Sequence, residues 1–173
     1  LVRFLLKYGR GGQEDNGPGL FGEALPIATP STMDVAPDDP VFHKVASGGH
    51  PDLLVIERPE NDKGERVTTL PVDVVRRINP FLQKTASEGG WRIVLVDDAD
   101  TMNRSSQNAI LKILEEPPEH TLIILVTHRT GAMLPTIRSR CRTISFQPLS
   151  QGDFSEILRH ETPEISTYDL DTL

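Results

Sequence analysis

Apolar residues gather in short unbroken runs at Leu53–Ile56, 91–96 and 122–126. Runs of this length predict strands buried on both faces, as in a parallel sheet. Between them the spacing turns helical, with Val74, Val75 and Ile78 in one segment and Ala109, Ile110, Ile113 and Leu114 in another. The second segment predicts a helix over 103–116, with Asn103 as its N-cap and Pro117-Pro118 as its stop. Asn79-Pro80 predicts a kink or break in the first, before Phe81 and Leu82. A short helix near 133–138 and a strand near 143–146 follow. Strands alternating with helices make this an α/β chain whose mostly parallel sheet carries helices on both faces.

The pattern differs outside 48–150. Residues 1–8 read as the last turns of an amphipathic helix ending at Gly9, so the chain is expected to open in mid-domain. Residues 9–47 hold Gly-rich and Pro-rich stretches without apolar period and predict a flexible insertion. A short helix within 41–46, started by Asp38 or Asp39, fits its end. From Ser150 a new helix begins, with Phe154, Ile157 and Leu158 on its apolar side. The expected division is therefore 1–149 and the start of a second, helical unit over 150–173.

Composition narrows the function. Of 173 residues, 18 are Lys or Arg and 25 Asp or Glu, giving a formal net charge of −7. That balance argues against nucleic-acid binding by bulk charge, while leaving room for a few local phosphate contacts. The single cysteine, Cys141, allows neither a disulfide framework nor a cysteine zinc site within the chain. It reads as a small buried hydrophobe. No apolar run is long enough to cross a membrane, and the expected location is cytoplasmic.

Sites in open parallel sheets lie beyond the carboxyl ends of the strands. Asp97 and Asp98 follow the apolar run at 91–96 and suit Mg²⁺ beside nucleotide phosphates. The alternative is a turn in which Asp97 or Asp100 caps the next helix. Thr127, after the third run, suits a phosphate or water, or simply opens a loop. In Arg138-Ser139-Arg140-Cys141-Arg142 arginines alternate with small residues. A guanidinium there can reach a phosphate on another molecule, or the segment is a solvated basic loop. Arg104 and Ser105 open the helix over 103–116, where free N–H groups and the helix dipole favour phosphate. His50, His120 and His128 lack metal-ligand spacing, so no metal is expected. No Gly-x-x-x-x-Gly-Lys-Ser/Thr occurs, and the glycines at 9–12 follow a helix rather than a strand.

Three stretches together resemble the clamp-loader branch of the AAA+ proteins. They are Val94-Leu95-Val96-Asp97-Asp98-Ala99-Asp100, then 108–118 ending in Leu114-Glu115-Glu116-Pro117-Pro118, then 135–141 ending in Ser139-Arg140-Cys141. Gly49-His50-Pro51-Asp52 is similar to a segment preceding the second strand of the bacterial members. Asp98 stands where ATP-hydrolysing members carry a longer acid, and the chain is closer to the delta-prime subunits of bacterial DNA polymerase III. The resemblance implies a P-loop NTPase-like sheet whose N-terminal P-loop strand, missing here, lies inside the sheet, and the start of a small helical lid.

It also implies Arg140 as an arginine finger supplied in trans, and Asp97, Asp98 and Thr127 as a vestigial or partial nucleotide site. Arg104 and Ser105 would face DNA. The chain would hold no cofactor alone, with ATP and magnesium at the interface with a neighbouring subunit. Zinc is not implied, because the four cysteines of relatives are absent. The implied partners are other clamp-loader subunits in a hetero-oligomeric ring, the sliding clamp and primer-template DNA, with no membrane. The chain would carry no catalysis by itself, acting within the DNA-directed DNA polymerase III holoenzyme, a nucleotidyltransferase complex. The alternatives are an ATP-hydrolysing motor subunit of the gamma or tau type and an inactive truncated fragment.

Overall fold

The computed structural model describes residues 1–9, 32–87 and 90–161. By contact density the chain divides into two units, Leu1–Cys141 and Arg142–Leu173. In the first, β1 (Leu53–Ile56), β2 (Arg92–Val96) and β3 (Thr121–Leu125) lie parallel in the order β1-β2-β3. Ile56 stands beside Val96, and Val96 beside Leu125. The three apolar runs are thus strands, as expected.

Alternation along a strand sorts their side chains between two cores. Leu54, Ile56, Val94, Val96, Ile123 and Leu125 face one, with Leu70, Val75, Ile78, Ile110 and Ile137. Leu53, Ile93, Leu122 and Ile124 face the other, with Leu6, Val41 and Trp91. The first core is roofed by α3 (Val72–Arg76), α4 (Ile78–Leu82), α5 (Arg104–Glu115) and α6 (Pro135–Arg138). Both crossovers step the same way across the sheet, and a common handedness puts their helices on one face.

The opposite face is covered by α1 (Val2–Tyr8) and α2 (Pro40–Ala46). Asp39 caps α2 by accepting the Val41 N–H at 2.8 Å and pairs with Lys7 of α1 at 2.5 Å. The Lys7 ammonium holds the Asp39 carboxyl below its usual range, helped by the Val41 N–H. Gly9 ends α1 against Trp91, where a Cβ would fall 2.5 Å from the indole Cδ1. Residues 10–31, much of the stretch expected to be flexible, lie outside the described residues, and the short helix expected near its end is α2.

Pro80 breaks the segment between β1 and β2. It has no N–H for the Arg76 carbonyl, so α3 stops at Arg76 and α4 restarts at Ile78 with Pro80 in its first turn. Asn103 caps α5, accepting the Ser106 N–H at 2.9 Å. Glu88 and Gly89, ahead of β2, lie outside the described residues.

One element differs from expectation. Residues 142–150 form no strand, and Ile144 and Phe146 are exposed. A strand exists only where a second backbone completes its hydrogen bonds, and no described residue pairs with this run. In the second unit α7 (Gln151–Glu161) starts where expected, and the Asp153 N–H donates to Ser150 Oγ at 3.2 Å. Residues 162–173, the rest of the expected lid, lie outside the described residues. Among the described residues no helix is long and apolar enough to cross a membrane.

Candidate functional site

The carboxyl ends of the three strands carry a network of opposite charges. Arg58 leaves β1, Asp98 and Asp100 leave β2, and His128 and Arg129 follow β3. Arg58 donates to Asp98 Oδ2 from Nε at 3.1 Å and from Nη2 at 2.8 Å, and its Nη1 donates to the Val67 carbonyl at 3.2 Å. His128 Nε2 lies 3.4 Å from the other oxygen, Asp98 Oδ1. Asp98 itself has a left-handed backbone, φ 46°, which Asp tolerates better than most residues. That turn starts a 3-10 segment, Ala99–Thr101, in which Thr101 Oγ1 donates to the Asp98 carbonyl at 2.7 Å.

Asp100 is buried and serves the neighbouring loop. It accepts the His128 N–H at 3.2 Å and Arg129 Nε at 2.9 Å. Burial pushes its carboxyl up, but the Arg129 guanidinium and the N–H groups outweigh it and hold the carboxyl below its usual value. Neither Asp97 nor Asp100 caps α5, which Asn103 caps instead. Thr127 Oγ1 accepts the Arg129 N–H at 3.3 Å within a local turn. A divalent cation at Asp98 would have to displace Arg58. The donor set suits an internal ion pair and does not fit such a cation as it stands.

Arg140 lies elsewhere, in the turn after α6. Its Nη1 donates to the Thr136 carbonyl at 2.9 Å, and its Nη2 lies 2.7 Å from Glu115 Oε1 at the carboxyl end of α5. The guanidinium is held at the surface, not in the core. The adjacent Cys141 packs against the first core, where burial pushes its thiol up, away from reactivity. Arg104 and Ser105 are exposed at the amino end of α5. At about 1.5 Å per residue, a helix of 12 residues separates them from Arg140 by its whole length. The fold therefore sets Asp97 and Asp98 just past β2 and Thr127 just past the neighbouring β3, with no hydrogen bond between Thr127 and either acid, and leaves Arg104 with Ser105 at one end of α5 and Arg140 beside the other.

Sequence reasoning missed the cations. Arg58 and Arg129 each follow a strand that flanks β2, and charges of opposite sign just past adjacent parallel strands are the signal that would have found them. It also missed Gln107, on the buried side of α5. Its Nε2 donates to the carbonyls of Met102 and Ala132, and its Oε1 accepts the Leu134 N–H at 2.7 Å. No spacing rule separates such a glutamine from an exposed one.

Comparison with known proteins adds a family to this geometry. The family described as "DNA polymerase III, delta subunit" matches residues 31–150. The chain is 43% identical over 97 residues to a DNA polymerase III subunit delta' of Pseudomonas aeruginosa, covering 56% of this chain and 28% of that protein. It is 42% identical over 96 residues to that of Escherichia coli, covering 56% and 27%. A DNA polymerase III subunit gamma of Buchnera aphidicola is 37% identical over 89 residues, 51% of this chain and 24% of that one. Among solved structures, a DNA polymerase III gamma subunit-related protein from Thermotoga maritima superimposes with TM-score 0.52 at 30% identity, covering 69% of this chain and 40% of its own. The matched part of the chain thus spans 28% and 27% of the first two relatives, little more than a quarter of their length.

Proposed function

Because this chain belongs to the DNA polymerase III, delta subunit family, we propose that it works in DNA replication as part of a clamp-loader subunit that does not hydrolyse ATP itself. It presents Arg140 to an ATP held by a neighbouring subunit. Its partners in this reading are the other subunits of the ring, the sliding clamp and primer-template DNA. ATP and its magnesium belong to the neighbour's site.

The observation that carries the reading is the setting of Arg140. Its guanidinium is exposed and tied to Thr136 and Glu115 on its own chain. An arginine so placed can meet a phosphate on another molecule and stabilise charge that develops in phosphoryl transfer. The state of Asp98 supports the non-hydrolysing half. A motor subunit needs an acid there free to act on metal or water, and here Arg58 and His128 flank both oxygens.

The test uses the full-length protein that carries this chain, assembled with its partners. Arg140→Ala is expected to leave assembly intact, because exposed ion pairs hold a fold by only about 0–1 kcal/mol. It is expected to abolish the DNA-stimulated turnover of the one site it serves, by analogy with arginines in trans worth about 10³–10⁵ in rate. Unchanged turnover would remove the role.

A further inference from the structure

Glu115 is the last residue of α5, and its place there needs explaining. A carboxylate at a helix carboxyl end meets the negative pole of the helix dipole, an unfavourable position without a cation. The cation is Arg140, 2.7 Å away, on a different element. Both side chains stay partly open to solvent, 36% for Arg140 and 47% for Glu115, so the pair adds little to folding. What it does is fix a guanidinium. Nη1 is taken by the Thr136 carbonyl and the Ser139 hydroxyl, and Nη2 by Glu115. Among the described residues Nε has no protein acceptor, and Nη2 has only Glu115, which leaves the Nε N–H and the second Nη2 N–H available to an incoming oxygen.

We infer that Glu115 is a positioning residue for Arg140. Its carboxylate holds the guanidinium in place before a phosphate arrives, so the rotamer freedom of a long side chain is not lost at that moment. Pre-organised donors act more strongly on a transition state than donors that must first be ordered. The inference rests on the reading of Arg140 proposed above.

The experiment places Glu115→Ala, Glu115→Gln, Arg140→Ala and the double variant Glu115→Ala with Arg140→Ala in the full-length protein within its assembled clamp loader. DNA-stimulated ATP turnover is measured at equal concentrations of assembled complex. Glu115→Ala is expected to lower kcat about two- to tenfold, the range for ordering one rotamer-rich side chain, with KM for ATP unchanged. Glu115→Gln, whose amide oxygen still accepts a hydrogen bond, should recover most of the loss. In the Arg140→Ala background Glu115→Ala should cost nothing more. If Arg140→Ala leaves turnover unchanged, the proposed function falls and this inference with it. If Arg140→Ala lowers turnover and Glu115→Ala does not, the positioning role alone falls. A rise in turnover with Glu115→Ala, no recovery with Glu115→Gln, or a further loss in the double variant would each overturn it too.

Discussion

Asp98 and Asp100 lie two residues apart and do different work because their backbones aim them differently. The left-handed turn at Asp98 sends its carboxylate toward Arg58, while the following 3-10 segment turns Asp100 inward toward Arg129 and the His128 N–H. The second pairing has a pH signature. The Asp100 carboxyl is held below its usual value in the fold, against about 3.9 in an unfolded chain. Its stabilising contribution is therefore complete above about pH 4 and is lost as pH falls through the lower folded value. Asp100→Asn is expected to lower the urea midpoint at pH 7 and to differ less from the parent near pH 3. Equal differences at the two pH values would show that the ionised carboxylate contributes nothing.

At the scale of an element, α5 is less apolar inside than its spacing suggests. Ile110 is buried as expected, but Ser106 and Gln107 are buried beside it. Ser106 Oγ donates to the Leu70 carbonyl at 2.8 Å, fixing α5 against the start of α3. Gln107 ties the same helix to the segment that leads into α6 and so toward Arg140. Gln107→Leu keeps the volume and removes three hydrogen bonds, and each buried group left unpaired costs about 1–3 kcal/mol. The variant is expected to lose about 2–4 kcal/mol of stability in chemical denaturation of the full-length protein. A loss below about 0.5 kcal/mol would mean that water replaces the amide.

For the whole molecule, a net charge of −7 leaves any DNA contact to local groups. Arg104, exposed with Ser105 at the start of α5, is the one proposed here. Arg104→Ala is expected to weaken DNA binding by the assembled complex and to reduce its salt slope by about one unit. An unaltered slope would make Arg104 an ordinary solvated residue. The sequence by itself determined what local physics controls. Apolar runs became β1, β2 and β3, Asn103 and Asp39 became caps, and Pro80 divided α3 from α4, because each depends on residues within a turn or two. The candidate positions at strand ends were legible for the same reason. What they bond to was not. Arg58 meets Asp98 across 40 positions, and Arg129 meets Asp100 across 29. Residues 143–146 have a strand's composition without a partner backbone to make them one. Pairings between distant residues depend on strand register and helix placement, and only the tertiary structure decided those.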